Sequence, residues 1–537
     1  QIDLAIACQN NTPTPTFYTT AKAQFYRGPR TRKKESMKAY KKIAAVLSIA
    51  MASVFLTGAP SQAASATITI GALQDVKSWD PGQAHIGHQI QLYQAAYDTL
   101  IRRGPNGELK PNLAKNWSWS ADKKTLTLSL RSGVTFSNGE AFDAAAVKAN
   151  LDNNKTANGP QSPQLSQVAS VTTTGRFGVK IVLSSPNPAL PIFLSTSSGF
   201  MAAPSLLGKP ALAAAPVGSG PYILNVGKSS KGSSYVFDAN PKYWNKGDQK
   251  FNTVTFKIMT DTTARLNALV SGQIDATLLD YPTTSAALAG GAKLKQNFVD
   301  WSGILLWDRD GKIVKPLADV RVRQALNYAF DRVAMNKALV GGQGEPTNQV
   351  LGEKSGAYDS ALDKAYPYNP TKAKELLKAA GYPNGFELPM PNITFANASM
   401  AAFIAQYLKD INVTVKWIDV SPAAFVNELR SGKYAASWFQ LYQGSIWEAM
   451  VQMVTPDATW NILKTTDPEI TKLLDQSKAQ PSKLTANATK INQLLTQKAW
   501  FVPLYRVPQQ YFVGKNVTVE SQIQNAVPYL YNYAPNA

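Results

Sequence analysis

Two distant stretches of this chain read as the same unit. TVTFKIMTD (253–261) leads into a helical pattern and then LNALVSGQIDATLL, while VTVKWIDVS (413–421) leads into a helical pattern and then VNELRSGKYAASWF. Asn267, Leu269, Ser271, Gly272 and Ala276 recur as Asn427, Leu429, Ser431, Gly432 and Ala436. Each unit is a strand, a helix, a Gly stop and a second strand, the arrangement that builds α/β layers. Ser-Gly commonly ends helices, so part of the match is generic. Two crossover units so far apart nevertheless predict two α/β lobes. The length of 537 residues agrees, because it exceeds what one hydrophobic core usually supports.

The first methionine is Met37, followed by Lys38, Lys41 and Lys42, an apolar run from Ile43 to Leu56, and the small residues Gly58 to Ala66. A basic start, a short apolar middle and a small-residue cleavage site make residues 37–66 a secretory signal peptide, cleaved after Ala63 or Ala66. The apolar run is shorter than the roughly 20 residues that span a bilayer. Residues 1–36 then read as a leader or translated upstream sequence. The one cysteine, Cys8, lies in that leader, so the exported part has neither disulfide nor thiol chemistry and rests on its core alone. With no cysteine at the cleavage site, a lipoprotein anchor is not expected. A periplasmic, secreted or cell-surface protein is.

The formal net charge is +20, yet beyond the leader Lys and Arg are spread singly. That distribution suits a soluble basic exported protein better than a nucleic-acid or membrane binder.

Catalytic signatures are sparse. Gly227-Lys228-Ser229 resembles the end of a phosphate loop, but its first glycine would have to be Tyr222. Ser120 and Lys123 have the spacing of a serine acyltransferase, but they fall in a hairpin turn and not at a helix start. The two histidines, His85 and His88, are three apart with no third metal ligand near them in sequence. No enzyme activity, metal or cofactor is expected. Local patterns are clearer. Thr67 to Leu73 alternates as a strand, and Asn116 to Leu130 reads as a hairpin turning near Asp122. Asp143 should cap a helix over Phe142 to Leu151, and Asn369, Pro370 and Gly381 should bound another. Apolar residues from Val322 to Val333 predict one helix across Asp319 to Leu339, with Arg321, Arg323, Asp331 and Arg332 on a solvated or salt-bridged face.

An exported, two-lobed α/β protein, rich in Trp and Tyr and poor in catalytic motifs, fits a binding protein. Over nearly all of residues 66–537 the chain resembles the family 5 extracellular solute-binding proteins, the dipeptide, oligopeptide and nickel group of ABC importer receptors. The stretches that carry the resemblance are WDP (79–81), residues 97–148, VGSGPY (217–222), NPKYWNKG (240–247), LVSGQID (269–275), PLADVRVRQALNYAFDR (316–332), YNPTKAKELLKAAGYPNG (368–385) and VPLY (502–505). The resemblance implies a two-lobed periplasmic-binding-protein-like fold of type II, in its large cluster-C-like form. A discontinuous larger lobe (67–299 plus 497–537) would hinge against a second lobe (300–496) near Phe298 to Gly303 and Gln497 to Pro503. It also implies closure around a small-molecule ligand, delivery to ABC permease subunits at the membrane, and a monomer that binds no nucleic acid.

The resemblance also sets the expected ligand site. In peptide-binding relatives an aspartate three residues after a strand tryptophan captures the peptide α-ammonium. Here Trp438 and Tyr442 match, and Leu441 occupies the aspartate position. The expected ligand-binding set is Trp438, Leu441, Tyr442, Gln443, Trp447, Glu448, Trp301, Trp307 and His85. Glu448 is the candidate replacement anchor for a di- or oligopeptide, and the tryptophans are candidate stacking rings for a neutral ligand such as an oligosaccharide.

Overall fold

The computed structural model describes residues 66–422 and 424–536, so the expected leader and all but the last residue of the expected signal peptide lie outside the described residues. The strand Thr67–Ala72 lies within the largest sheet and is buried on both faces along most of its length. It runs parallel to Thr253–Ile258 on one side and to Ala276–Leu279 on the other, as strands of an α/β layer do. Beyond Thr253–Ile258 the sheet continues antiparallel through Ser234–Ala239 to Tyr222–Leu224. Beyond Ala276–Leu279 it continues antiparallel through Phe501–Val513 and Lys293–Leu306 to Ala436–Tyr442.

Both repeated units form. The first is Thr253–Ile258, the helix Thr262–Val270, Gly272 and Ala276–Leu279; the second is Val413–Ile418, the helix Phe425–Leu429, Gly432 and Ala436–Tyr442. Gly272 and Gly432 sit at φ of +76° and +79°, a conformation that costs a side chain dearly and glycine little. The units differ in their partners, since Val413–Ile418 pairs in parallel with Phe386–Pro391 in a separate two-stranded sheet.

The predicted hairpin is the pair Ala114–Trp119 and Thr125–Leu130, which joins Gly178–Leu183 and Val168–Thr173 in an antiparallel sheet. Asp143 accepts from Ala146 N at 3.0 Å and Asn369 from Lys372 N at 2.8 Å, each capping its helix as expected.

The single helix expected over Asp319 to Leu339 is two helices, Val320–Tyr328 and Arg332–Val340. Asp331 starts the second, its side chain accepting from Ala334 N at 2.9 Å. The apolar periodicity runs across the break but loses its face there, for Val333 is 68% exposed. The charged residues divide as well. Arg321 pairs with Asp319 at the surface, whereas Arg323 and Arg332 are buried. Arg323 donates to the carbonyls of Leu317, Ala318 and Lys498, and Arg332 to those of Thr347, Pro503, Asn327 and Tyr366. A guanidinium with five donors can tie several loop carbonyls at once, which a solvated face would not need.

The apolar side chains gather around separate cores. One takes Ile68, Tyr93, Tyr235, Phe256, Tyr511 and Tyr529; a second, under the antiparallel sheet, takes Ile101, Leu126, Phe136 and Leu190. A third takes Trp301 to Trp307, Leu326, Leu388, Ile404, Leu441, Trp447 and Trp500 to Tyr505. Residues Ala189 and Phe193 belong to this third core although Leu190 belongs to the second, so the segment touches both.

Candidate functional site

Two long strands run from one side of the molecule to the other. Lys293–Leu306 and Phe501–Val513 pair antiparallel from Lys293 opposite Val513 to Leu305 opposite Phe501. At one end Leu294 packs with Phe512; at the other, Trp301 to Leu306 and Phe501 to Tyr505 enter the third core. The register slips between Phe298 and Asp300 and again between Ser302 and Gly303. Bulges bend a ladder locally and increase its twist. The first falls where the long strand enters the third core, and the second lies within it, between Trp301 and Ile304.

Ala436–Tyr442 pairs with the outer edge of this ladder, setting Asp300 opposite Tyr442, Trp301 opposite Leu441, Ser302 opposite Gln440 and Ile304 opposite Trp438. Side chains alternate across a strand, and directly opposed residues share a face. Asp300, Ser302, Gln440, Tyr442 and Trp438 therefore share one face, and Trp301, Phe439 and Leu441 the other. The bond from Trp438 Nε1 to Ser302 Oγ, 2.9 Å, agrees with that assignment.

Leu441 and Trp301 are fully buried, and Trp301 meets the Phe501 ring edge-on at 5.6 Å. Trp438 is 3% exposed. Trp307 is also fully buried, and its backbone N–H donates to Ala435 O at the opposite end of the ladder. It stands six positions after Trp301, just past the strand's end at Leu306, about 20 Å at the usual rise. The structure thus does not bring Trp307 together with Tyr442.

The chain leaves the strand at Gln443, whose backbone N–H donates to Val299 O at 2.7 Å. Its side chain is buried, and neither amide atom has a hydrogen-bond partner among the described residues. Gly352 lies against it; a Cβ there would stand 2.4 Å from Gln443 Oε1. The helix Ile446–Met453 follows, and Glu448 Oε2 accepts from Ser445 N at 2.7 Å, the return arm of a capping box. Trp447, on the same first turn, is buried with its indole N–H unpartnered among the described residues.

Glu448 meets a residue that sequence reasoning did not single out. Arg103 ends the strand Ile101–Arg103, on the side of the second core, and its Nη2 lies 3.4 Å from Glu448 Oε2. The same nitrogen donates to Gln524 Oε1, and Tyr531 donates to the Arg103 carbonyl at 2.7 Å. Burial works against the Arg103 charge, but Glu448 and the Tyr442 and Tyr529 hydroxyls outweigh it and raise its pKa. The Tyr442 hydroxyl is pushed well above its usual range, first by burial and then by the Glu448 charge, with Arg103 opposing. Alternation places Arg103 on the same face as buried Ile101. A charged residue at an inward strand position was the available sign that a partner waits elsewhere in the chain.

His85 is half-buried in the loop between the short turns Pro81–Gln83 and Gly87–Gln89. That loop reaches the long strand indirectly, since Asn525 donates to Gly87 O and Asn297 donates to the carbonyls of Gln522 and Asn525. His88 is held down to about 4, by burial first and then by the Arg265 charge, with Asp280 opposing. No group of three His, Cys, Asp or Glu among the described residues is placed to hold a metal.

A small cavity of about 30 Å³ lies beside the Arg103 strand, lined in part by Asp98, Arg102, Tyr243 and Asp248. Its size suits a water or two and no larger ligand. Burial raises Asp98 to about 6, against hydrogen bonds from Trp244, Tyr243 and Ser219, so its carboxylate is already partnered.

With this geometry in view, the sequence matches the model of bacterial extracellular solute-binding proteins, family 5, over residues 108–459. The chain belongs to that family. Among curated relatives, the glutathione-binding protein GsiB of Escherichia coli O6:K15:H31 is 30% identical over 348 residues, covering 64% of this chain and 66% of the relative. The chain therefore spans just under two thirds of the length of that relative. GsiB of Salmonella paratyphi A is 32% identical over 311 residues, 57% of this chain and 60% of the relative. Among solved structures, HbpA2 from Haemophilus parasuis superposes with a TM-score of 0.77 at 22% identity, covering 88% of this chain and 100% of that one. NikA from Brucella suis, in complex with Fe(III)-EDTA, superposes with a TM-score of 0.73 at 23% identity, with the same coverages. The family 5 neighbours are two-lobed binding proteins, and this chain has that two-lobed α/β fold. No helix among the described residues is long and apolar enough to cross a membrane.

Proposed function

We propose that this chain is the extracytoplasmic receptor of an ABC importer, closing around a small ligand and presenting it to membrane permease subunits. The observation that carries the reading is the ladder of Lys293–Leu306 and Phe501–Val513, bulged at Phe298 to Gly303, with Arg103 and Glu448 meeting beside it from separate cores. A few residues at the crossing would absorb the rotation of closure, and a ligand shifts that equilibrium only by its preference for the closed state. In this reading residues 67–299 plus 497–537 move against 300–496, the protein acts as a monomer, and it performs no catalysis. Export through the signal peptide, with no lipid anchor, belongs to the same proposal.

Peptides are the ligand class best supported. Relatives are named as binding glutathione, and a fold neighbour from Pseudoalteromonas was solved with the dipeptide Met-Leu. The ligand-contacting surface would be Tyr442, Gln443, Trp447 and the Glu448 turn on one wall, with Trp438, Leu441 and Trp301 supporting the strands behind and His85 on the facing loop. Gln443 favours this placement, because a buried amide with no partner is costly unless a ligand or water completes it.

The test is mass spectrometry of the small molecule released on denaturing protein purified from the compartment to which it is exported. Peptides support the reading. Sugars or another neutral ligand would overturn the peptide assignment and keep the receptor. Turnover of chromogenic ester, glycoside or peptide substrates, abolished by mutating one acid or serine, would overturn the receptor itself.

A further inference from the structure

The contact between Arg103 and Glu448 has a counterpart on the opposite face of the ladder. Asn297 is opposite Gln509 and Asp300 is opposite Val507; Gln509 and Val507 lie two apart on one strand, so all four share a face. That face carries Tyr442, whose hydroxyl is within reach of the Glu448 and Arg103 charges. It is also where Asn297 donates to the carbonyls of Gln522 and Asn525. Gln296 and Gln510, which oppose each other on the neighbouring rung, point the other way.

Each of these two glutamines holds a turn. Gln510 Oε1 accepts from Thr284 Oγ1, at the end of the short turn Tyr281–Thr283. Gln296 Nε2 donates to Gln343 O at 2.8 Å, just past the helix Arg332–Val340. The turns belong to the two parts expected to rotate, 67–299 and 300–496, and they meet. A Cβ at Gly341 would stand 2.0–2.1 Å from Cε2, Cζ and the hydroxyl of Tyr281, so the tip of the ring fills the space that a side chain would need. Gly341 sits at φ +59° and closes its helix with its N–H on Asn336 O. Tyr281 is 39% exposed, so its ring lies in the seam and not in a core.

A bend of the ladder that parts Arg103 from Glu448 on one face drives together the turns on the other. There the turns already touch, with no room for one methyl group. Close-packed atoms yield little to further compression. We infer that Tyr281 against Gly341 is a stop behind the hinge, limiting how far the two sides part and thereby setting ligand affinity from outside the ligand site. Apparent affinity scales with the closed fraction, so neither residue has to touch the ligand. The inference rests on the receptor reading above for the rotation, and not on the identity of the ligand.

The experiment is a double-mutant cycle read by small-angle scattering of the ligand-free protein. Tyr281→Ala removes the stop and should raise the radius of gyration. Gly341→Ala wedges a methyl into the contact and should lower it. With both changes the methyl occupies room that the ring has left, so Gly341→Ala should have little effect on the radius in the Tyr281→Ala background. The cost of a side chain at positive φ is common to both backgrounds and cancels. A smaller radius for Tyr281→Ala, an equal effect of Gly341→Ala with and without the ring, or four equal radii would each overturn the stop. Should the alanine at 341 fold poorly, Gly341→Asn replaces it, because asparagine tolerates the left-handed region better.

Calorimetry with a panel of unblocked di- and tripeptides gives the second readout. Gly341→Ala should bind about two- to tenfold more tightly than wild type, and Tyr281→Ala more weakly by a similar factor. Equal peptide affinity in all four proteins would overturn the stop as a control of binding. The expected scattering shifts, with no peptide bound by any of the four, would uphold the stop and overturn the peptide reading.

Discussion

Glu448→Gln isolates the contact between the two sides of the molecule. Glutamine at this helix position still offers an oxygen to Ser445 N–H, so the capping box survives and only the charge is lost. At 3.4 Å, with side chains 3% and 10% exposed, the Arg103–Glu448 attraction is roughly 5 kcal/mol gross at an effective dielectric of about 20. Desolvation offsets much of this, while the stranded Arg103 keeps Gln524 and the tyrosine hydroxyls as partial compensation. A net loss of about 1–3 kcal/mol in the closed arrangement follows, and apparent affinity falls with the closed fraction, about 5- to 150-fold. Calorimetry with the natural ligand gives the affinity, and small-angle scattering gives the closed fraction. The double variant Arg103→Met with Glu448→Gln removes both charges and should recover part of the loss. Affinity within twofold of wild type for the single variant would refute the reasoning. No recovery in the double variant would mean that Glu448 touches ligand directly.

Two further perturbations test the surrounding structure. Trp438→Ala removes a ring buried in the third core together with its bond to Ser302, and should cost about 3–5 kcal/mol of apo stability by denaturant melts; a change under 1 kcal/mol would mean the ring packs against little. His88 is held neutral with its pKa lowered to about 4 against an ordinary 6.5, so the unfolded chain takes up its proton first as pH falls. Stability is then lost between about pH 6.5 and 4, by at most about 3 kcal/mol, and His88→Asn should flatten that arm of a stability-against-pH curve. An unchanged acid arm would show that the histidine is solvated.

The elements that were legible in the sequence are those whose signal is local. Asp143, Asn369 and Gly432 each act within one turn of their own position, and the repeated strand-helix-strand unit needs only its own pattern. The break at Ala329 to Asp331 was missed because apolar spacing continued across it while the cap that starts the new helix looked like one more surface charge. Buried Arg323 and Arg332 escape the pattern for a related reason: the partners that bury them include the carbonyls of Lys498 and Pro503, 175 and 171 residues away. The candidate site was half legible. Trp438 to Glu448 come with the family resemblance, but Arg103 lies 345 residues from Glu448 in the chain. No single-sequence pattern carries a contact of that separation.

The register of the ladder also gives leucine at position 441 a physical sense. Leu441 opposes Trp301 on the face packed into the third core, where an unpaired carboxylate would be costly and a leucine is not. One residue on, Tyr442 opposes Asp300 on the other face, so the acid lies across the strand pair from the leucine and on the long strand itself. A charge placed there has a different mechanical position from one on Ala436–Tyr442. Asp300 itself stays paired with Val507 and flanks Val299, the extra residue at which the long strand slips register against Phe501–Val513, so a packing change at 300 bears directly on the bulge that bends the ladder.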